Sequence, residues 1–233
     1  MSDHIVSSFN EDLKDLASRI VEMGGLAETL VNDSVQALLR HDLALAERTI
    51  EADKRLDEMQ IQLEERCIVV IARRQPVARD LREIFAALRI SNDLERVGDM
   101  AKNIAKRAQA IESDFNNKTL AVGVEHMAEL ALAQLKAVLD AYTTGDLEAV
   151  EQVQKGDKQI DSMYTSLFRQ LLTYMMEDPR NITMCAHLLF CAKNIERIGD
   201  HATNIAENIY FMVSGDHLPA DRPKKDETDV TLP

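Results

Sequence analysis

Apolar residues recur at three- and four-residue spacing along six long segments of the chain, the period of helices with one buried face. The first helix is expected over roughly residues 6–40. The second starts at Asp42, a good N-cap, and ends before Gln75-Pro76, with Pro76 in the first turn of a third helix that runs to about Ser113. Three more are expected near 118–143, 147–177 and 179–213. Gly145 and Asp146 supply a stop and a start, and Asp178-Pro179 repeats the cap-and-proline pattern. Short connections make neighbouring helices antiparallel. The closing stretch "SGDHLPADRPKKDETDVTLP" is rich in proline and charge and poor in apolar anchors, which predicts a disordered tail over 215–233.

The pattern occurs twice. "LERVGDMAKNIA" from Leu94 and "IERIGDHATNIA" from Ile195 align Glu95, Arg96, Gly98, Asp99 and Asn103 with Glu196, Arg197, Gly199, Asp200 and Asn204 at one offset. Upstream, "EADKRLDEM" and "KGDKQIDSM" align Asp53 with Asp157 and Asp57 with Asp161, at an offset only three residues different. A duplicated unit of three helices therefore accounts for most of the chain. The expected fold is all-α, two tandem pseudo-symmetric three-helix bundles, with residues 1–115 as the first and 116–214 as the second.

Composition supports helices and narrows the partners. Aromatic residues are 4% of the 233, with no Trp, while alanine and leucine are plentiful. A formal charge of −13 opposes nonspecific binding to nucleic acid and favours cations or basic surfaces. Three cysteines, Cys67, Cys185 and Cys191, all lie in apolar helical segments without metal-site spacing and read as reduced core residues of a cytoplasmic protein. The N-terminal stretch has no basic flank before an apolar run and does not read as a signal peptide. The densest apolar runs, "CIVVIA" and "AHLLFCA", fall well short of the roughly 20 residues that cross a bilayer, so no direct membrane insertion is expected.

The candidate chemistry is acidic. On a helical wheel Ile90, Leu94, Val97, Ala101, Ile104, Ala105 and Ala108 share one arc, and Glu95 and Asp99 stack four apart on a line outside it. That line is expected to face out of its bundle. Glu196 and Asp200 repeat it, and the preceding helices add the pairs Asp53–Asp57 and Asp157–Asp161. Like charges at this spacing repel by a few tenths of a kcal/mol per pair. Either a hard cation held by carboxylates from two helices offsets the repulsion, or Lys54, Arg96, Lys158 and Arg197 solvate and pair an exposed acidic face. Gly98 and Gly199 each cost a helix interior roughly 0.5–1 kcal/mol, so both are expected to serve a close helix approach.

Other chemistries find less support. A di-iron carboxylate enzyme uses inward E-x-x-H pairs, which the third and sixth helices lack. His201 follows Asp200 and raises a phosphotransfer role, but the first copy has Met100 there, so a half-exposed histidine or a neighbour of a metal fits better. No phosphate-binding G-x-x-x-x-G-K-[ST] loop occurs among the eight glycines, and no nucleophile–base set appears. The chain reads as a protein without catalytic residues. The turn "ARRQPVARDLR" gathers Arg73, Arg74, Arg79 and Arg82 at one end of the first bundle, a candidate contact surface for a partner.

The duplicated motif, with "IARRQPVARDLR" and "LLTYMMEDPR", resembles the PhoU family over nearly the whole chain up to the tail. The resemblance implies a cytoplasmic homodimer that restrains phosphate uptake and phosphate-starvation signalling, acting between the phosphate ABC transporter and a phosphate-sensing histidine kinase. It also implies iron or zinc held by Asp53, Asp57, Glu95 and Asp99 in one copy and by Asp157, Asp161, Glu196 and Asp200 in the other. A metal-free adaptor that uses the same acidic faces for protein contacts stays open beside it.

Overall fold

The computed structural model describes residues 2–111 and 118–218, with side chains described for 9–111 and 120–218. Six helices follow in order: α1 (Ser2–Arg40), α2 (Leu43–Arg74), α3 (Ala78–Ala110), α4 (Lys118–Thr144), α5 (Leu147–Glu177) and α6 (Ile182–Ser214), with a 3₁₀ turn over Pro179–Asn181. Local chemistry sets their ends. Asp42 accepts from the Leu45 N–H, and Asp146 accepts from the N–H groups of Glu148 and Ala149, satisfying donors that a helix start leaves unpaired. Gly145 (φ 70°) and Gly215 (φ 83°) take the left-handed conformation that closes α4 and α6. Pro76 departs from expectation. Gln75 turns left-handed (φ 50°) to close α2, Val77 is extended, and α3 begins only at Ala78, so the proline lies in the connection rather than in the first turn. α3 also ends earlier than Ser113, at Ala110, and Ser113 lies outside the described residues, as does the expected tail from residue 219 onward.

α1, α2 and α3 pack against one another, α4, α5 and α6 do the same, and the two bundles join where α3 meets α6 and α1 meets α4. The expected core faces are buried. Ile90, Leu94, Val97, Ala101, Ile104, Ala105 and Ala108 of α3 face Ile20, Met23 and Leu30 of α1 and Leu56 and Leu63 of α2 within one continuous core. Ile195, Ile198, Ala202, Ile205 and Ile209 of α6 are buried equally, as are all three cysteines.

The join between bundles is tight and partly polar. A Cβ on Gly24 of α1 would lie 2.6 Å from Leu139 Cδ2 of α4, so the glycine sets how closely these helices approach. Between α3 and α6 the Asp93 carboxylate gathers three donors: His201 Nδ1 at 3.0 Å, and the amides of Asn204 and Asn208, each at 3.5 Å. A carboxylate only accepts, so the proton of this pair sits on His201 Nδ1. His201 thus belongs to the seam between bundles, with 16% of its side chain exposed. No helix among the described residues is long and apolar enough to cross a membrane.

Candidate functional site

The acidic residues gather along two seams, one between α2 and α3 and its counterpart between α5 and α6. Asp53 stands in the buried heptad register of α2, in series with Thr49, Leu56 and Leu63, and Asp157 stands likewise between Val153 and Ile160 of α5. An aspartate in an apolar register is driven into the bundle with its neighbours. Asp53 is 1% exposed and Asp157 3%. The expectation of outward acidic lines is corrected accordingly. Glu95 and Asp99 are half-buried and roof a seam into which Asp53 is sunk, and Glu196 and Asp200 roof the seam of Asp157.

In the first seam a lysine lies among the carboxylates. Lys102 of α3 donates from Nζ to Asp53 Oδ2 at 2.5 Å and to Asp99 Oδ1 at 2.6 Å. Arg96 adds looser contacts, 3.5 Å to Glu95 and 3.6 Å to Asp99, while Lys54 pairs with Glu51 of its own helix. Asp57 is half-buried one turn along α2 from Asp53. Burial pushes the Asp53 carboxyl above its ordinary range, against the pull of Lys102 and with the push of Asp57 and Asp99. Burial also raises Glu95, and Asp99 adds to it. For Lys102 burial works downward, but hydrogen bonds to two carboxylates outweigh it and raise the lysine, so its ammonium stays charged. Sequence reading passed over Lys102; its place three residues after Asp99, on the acidic side of α3, is the signal that could have found it.

The second seam is built differently. Thr203 stands where Lys102 stands in the first, and its hydroxyl donates to the Asp200 carbonyl at 2.7 Å. Lys193, a turn earlier on α6, donates to Glu196 Oε1 at 2.7 Å, leaving Glu196 Oε2 buried without a partner. Burial raises the Glu196 carboxyl, opposed by Lys193 and aided by Asp200 and Asp157. Asp161 is exposed on α5, one turn along from Asp157.

Both motif glycines serve the close approach expected of them. A Cβ on Gly98 would lie 2.5 Å from Leu56 Cδ2 and 2.9 Å from Asp53 Oδ1; on Gly199 it would lie 2.9 Å from Ile160 Cδ1. The absent side chains let α2 and α5 press their aspartates against the motif helices.

Iron or zinc at these residues meets uneven ground. Among the described residues no three of His, Cys, Asp and Glu converge as a ready metal site. The donors along both seams are hard oxygens, without thiolate, and His201 is committed to Asp93. In the first seam the Lys102 ammonium already sits between two of the carboxylates expected to bind metal, so that seam as arranged does not fit one.

The four arginines do not act as one patch. Arg74 pairs with Asp12 of α1 at 2.8 Å, Arg79 with Glu83 at 3.0 Å, and Arg82 lies against Gly215 beyond α6. Arg73 and Arg79 are the two exposed members.

The PhoU domain model matches the chain twice, over residues 20–108 and 124–209, one match to each bundle. A PhoU homolog of the phosphate-specific transport system from Rhizobium meliloti (strain 1021) is 59% identical over 97% of this chain and 96% of its own length. Its counterpart from Caulobacter vibrioides (strain NA1000 / CB15N) is 49% identical over 97% and 98%. The crystal structure of PhoU from Pseudomonas aeruginosa superposes with a TM-score of 0.86 at 38% identity, covering 89% of this chain and all of that one. The PhoU structure from Streptococcus pneumoniae superposes at 0.83 with 25% identity over 90% and 99%. Two matched domains, six helices in a shared arrangement and identity sustained end to end place the chain in the PhoU family.

Proposed function

We propose that this chain is a negative regulator of phosphate uptake and of phosphate-starvation signalling, a cytoplasmic homodimeric adaptor between the phosphate ABC transporter and its sensor histidine kinase. The observation that carries the reading is the 59% identity, over 97% of the chain, to a protein named as an accessory of phosphate-specific transport. The family is regulatory rather than enzymatic. A bundle with no membrane-crossing helix among its described residues reaches a membrane transporter through its surface. Exposed apolar side chains suited to such contacts include Val77 at the α2–α3 turn and Met176 at the end of α5, the corresponding turns of the two bundles.

Deleting the gene in its host tests the role. Phosphate uptake and a phosphate-starvation reporter are expected to stay on at high phosphate, and a plasmid copy to restore repression. Normal repression in the deletion strain would overturn the proposal. Co-purification with the transporter and with the kinase, and a solution mass of twice the chain's 26.2 kDa, test the partners and the dimer.

A further inference from the structure

The two copies of the bundle differ inside and out. Inside, the side chain of α1 beside Gly98 is Leu30, whereas that of α4 beside Gly199 is Gln134. Gly156 makes room for this amide where the first bundle has Ala52, and the amide nitrogen donates to the Val153 carbonyl at 3.2 Å. Outside, the difference lies along the groove between the second and third helix of each bundle. On α2 the line of Asp57 runs on through Ile61, Glu64 and Ile68. On α3 the line of Glu95 and Asp99 runs back through Asn92, Leu88, Phe85 and Leu81, each step three or four residues and so on one face. The helices are antiparallel, with Leu56 against Gly98 and Asp53 against Lys102, which brings Ile68 level with Phe85. Ile61 is 54% exposed, Ile68 60%, Leu81 38% and Phe85 47%, so large apolar side chains from two helices flank one open groove beyond the acidic seam.

Charge sets this groove apart. Asp57, Glu64 and Glu65 form no ion pair among the described residues, Lys102 is spent on Asp53 and Asp99, and Arg96 reaches Glu95 at 3.5 Å and Asp99 at 3.6 Å. The groove of the second bundle repeats the exposed apolar positions, with Leu172 for Ile68 and Ile182 for Leu81. It carries Phe168, Arg169 and Lys193, however, where the first has Glu64, Glu65 and Asn92. Aliphatic side chains kept exposed at the same two places in both copies serve neither core, and the changed charges give the two grooves different selectivity. We infer that the α2–α3 groove is a docking site for a basic amphipathic helix of a partner protein. Such a helix lays its apolar face between Ile68, Leu81 and Phe85 and turns its lysines or arginines toward Asp57, Glu64 and Glu65. Two antiparallel helices present a straight groove into which a third packs as in a bundle. The unpaired carboxylates beside it attract a basic helix and repel an acidic one.

The existence of a partner rests on the adaptor role proposed above, but the groove is tested apart from it, on purified full-length protein. The probes are two labelled synthetic amphipathic helices, one built of leucine and lysine and the other of leucine and glutamate, followed by fluorescence anisotropy. The leucine–lysine helix is expected to bind and the leucine–glutamate helix is not. Ile68→Asp with Leu81→Asp is expected to weaken binding at least tenfold with the helical circular dichroism unchanged, although two added carboxylates would strengthen a contact made by charge alone. Glu64→Lys with Glu65→Lys is expected to weaken it as well, and Leu172→Asp with Ile182→Asp to leave it within about twofold. Equal binding of both helices, full affinity in the Ile68→Asp, Leu81→Asp variant, or an equal loss in the Leu172→Asp, Ile182→Asp variant would each overturn the inference. So would conversion of a dimer to a monomer by Ile68→Asp with Leu81→Asp, which would show that a second copy of the chain covers the groove.

Discussion

Replacing Gly98 by alanine sets two opposing effects against each other, and the structure decides which wins. The added methyl favours the helix by roughly 0.5–1 kcal/mol, because alanine loses less backbone freedom than glycine on folding. It would also stand 2.5 Å from Leu56 Cδ2 and 2.9 Å from Asp53 Oδ1. Leu56 is fully buried among packed neighbours and Asp53 is held by Lys102, so either the leucine repacks within the core or α2 and α3 move apart. Overpacking of this kind costs about 1–3 kcal/mol, which leaves a net loss of up to about 2.5 kcal/mol. Gly25 is the control. It is exposed on α1 and a Cβ there meets nothing within 4 Å, so Gly25→Ala receives only the helix gain. For a chain of this size each kcal/mol moves the melting temperature by about 2–4 °C. Thermal and urea melts followed by circular dichroism are expected to show Gly98→Ala shifted down and Gly25→Ala shifted up. Two upward shifts of equal size would refute the claim that Gly98 exists for the helix approach.

Lys102→Met is expected to destabilise the chelator-stripped protein by about 3–5 kcal/mol, since it strands the buried Asp53 charge; adding Asp53→Asn should recover most of the loss, and a urea double-mutant cycle measures it. Asp93→Ala removes the acceptor shared by His201, Asn204 and Asn208 at the join of the bundles and is expected to cost about 1–3 kcal/mol in the same assay; an unchanged midpoint would show that the polar join contributes nothing. Burial pushes the thiols of Cys67 and Cys191 up to about 12, and Cys185 is buried and raised as well. At pH 8 a group with a pKa near 12 is ionised about one part in ten thousand, so native protein should resist a chromogenic disulfide reagent, and three thiols per chain should react in denaturant.

The helices were legible because their signals are local. Asp42, Gly145, Asp146 and Asp178 act within a few residues of themselves, and the structure uses each one at the end it marks. Pro76 misled because proline suits both a first turn and a connection, and the choice fell to the left-handed Gln75 beside it. The acidic residues were legible as a set but not in depth. A wheel drawn for α3 alone separates Glu95 and Asp99 from the apolar arc, yet it cannot show that α2 covers their side of the helix. The heptad register of α2, which carries Asp53 in line with Thr49, Leu56 and Leu63, held that information. Lys102 and Gln134 were hidden for another reason. Matching the repeats draws the eye to identical positions, and these two matter because they differ from their counterparts Thr203 and Leu30.

Gly156 has a consequence for the routes by which one seam can be rebuilt into the other. With alanine at that place, as in Ala52, an amide at the depth of Gln134 would press a methyl group against its own nitrogen, 3.0 Å away and bonded to the Val153 carbonyl. Removing the methyl therefore eases entry of the amide, and losing the lysine of the neighbouring helix strands the sunken aspartate unless something else meets it. The reverse journey has no such order, since leucine does not need the amide's hydrogen bond. Grafting the second seam onto the first thus favours Ala52→Gly before Leu30→Gln, with Lys102→Thr last, so that the buried aspartate keeps its ammonium until the end.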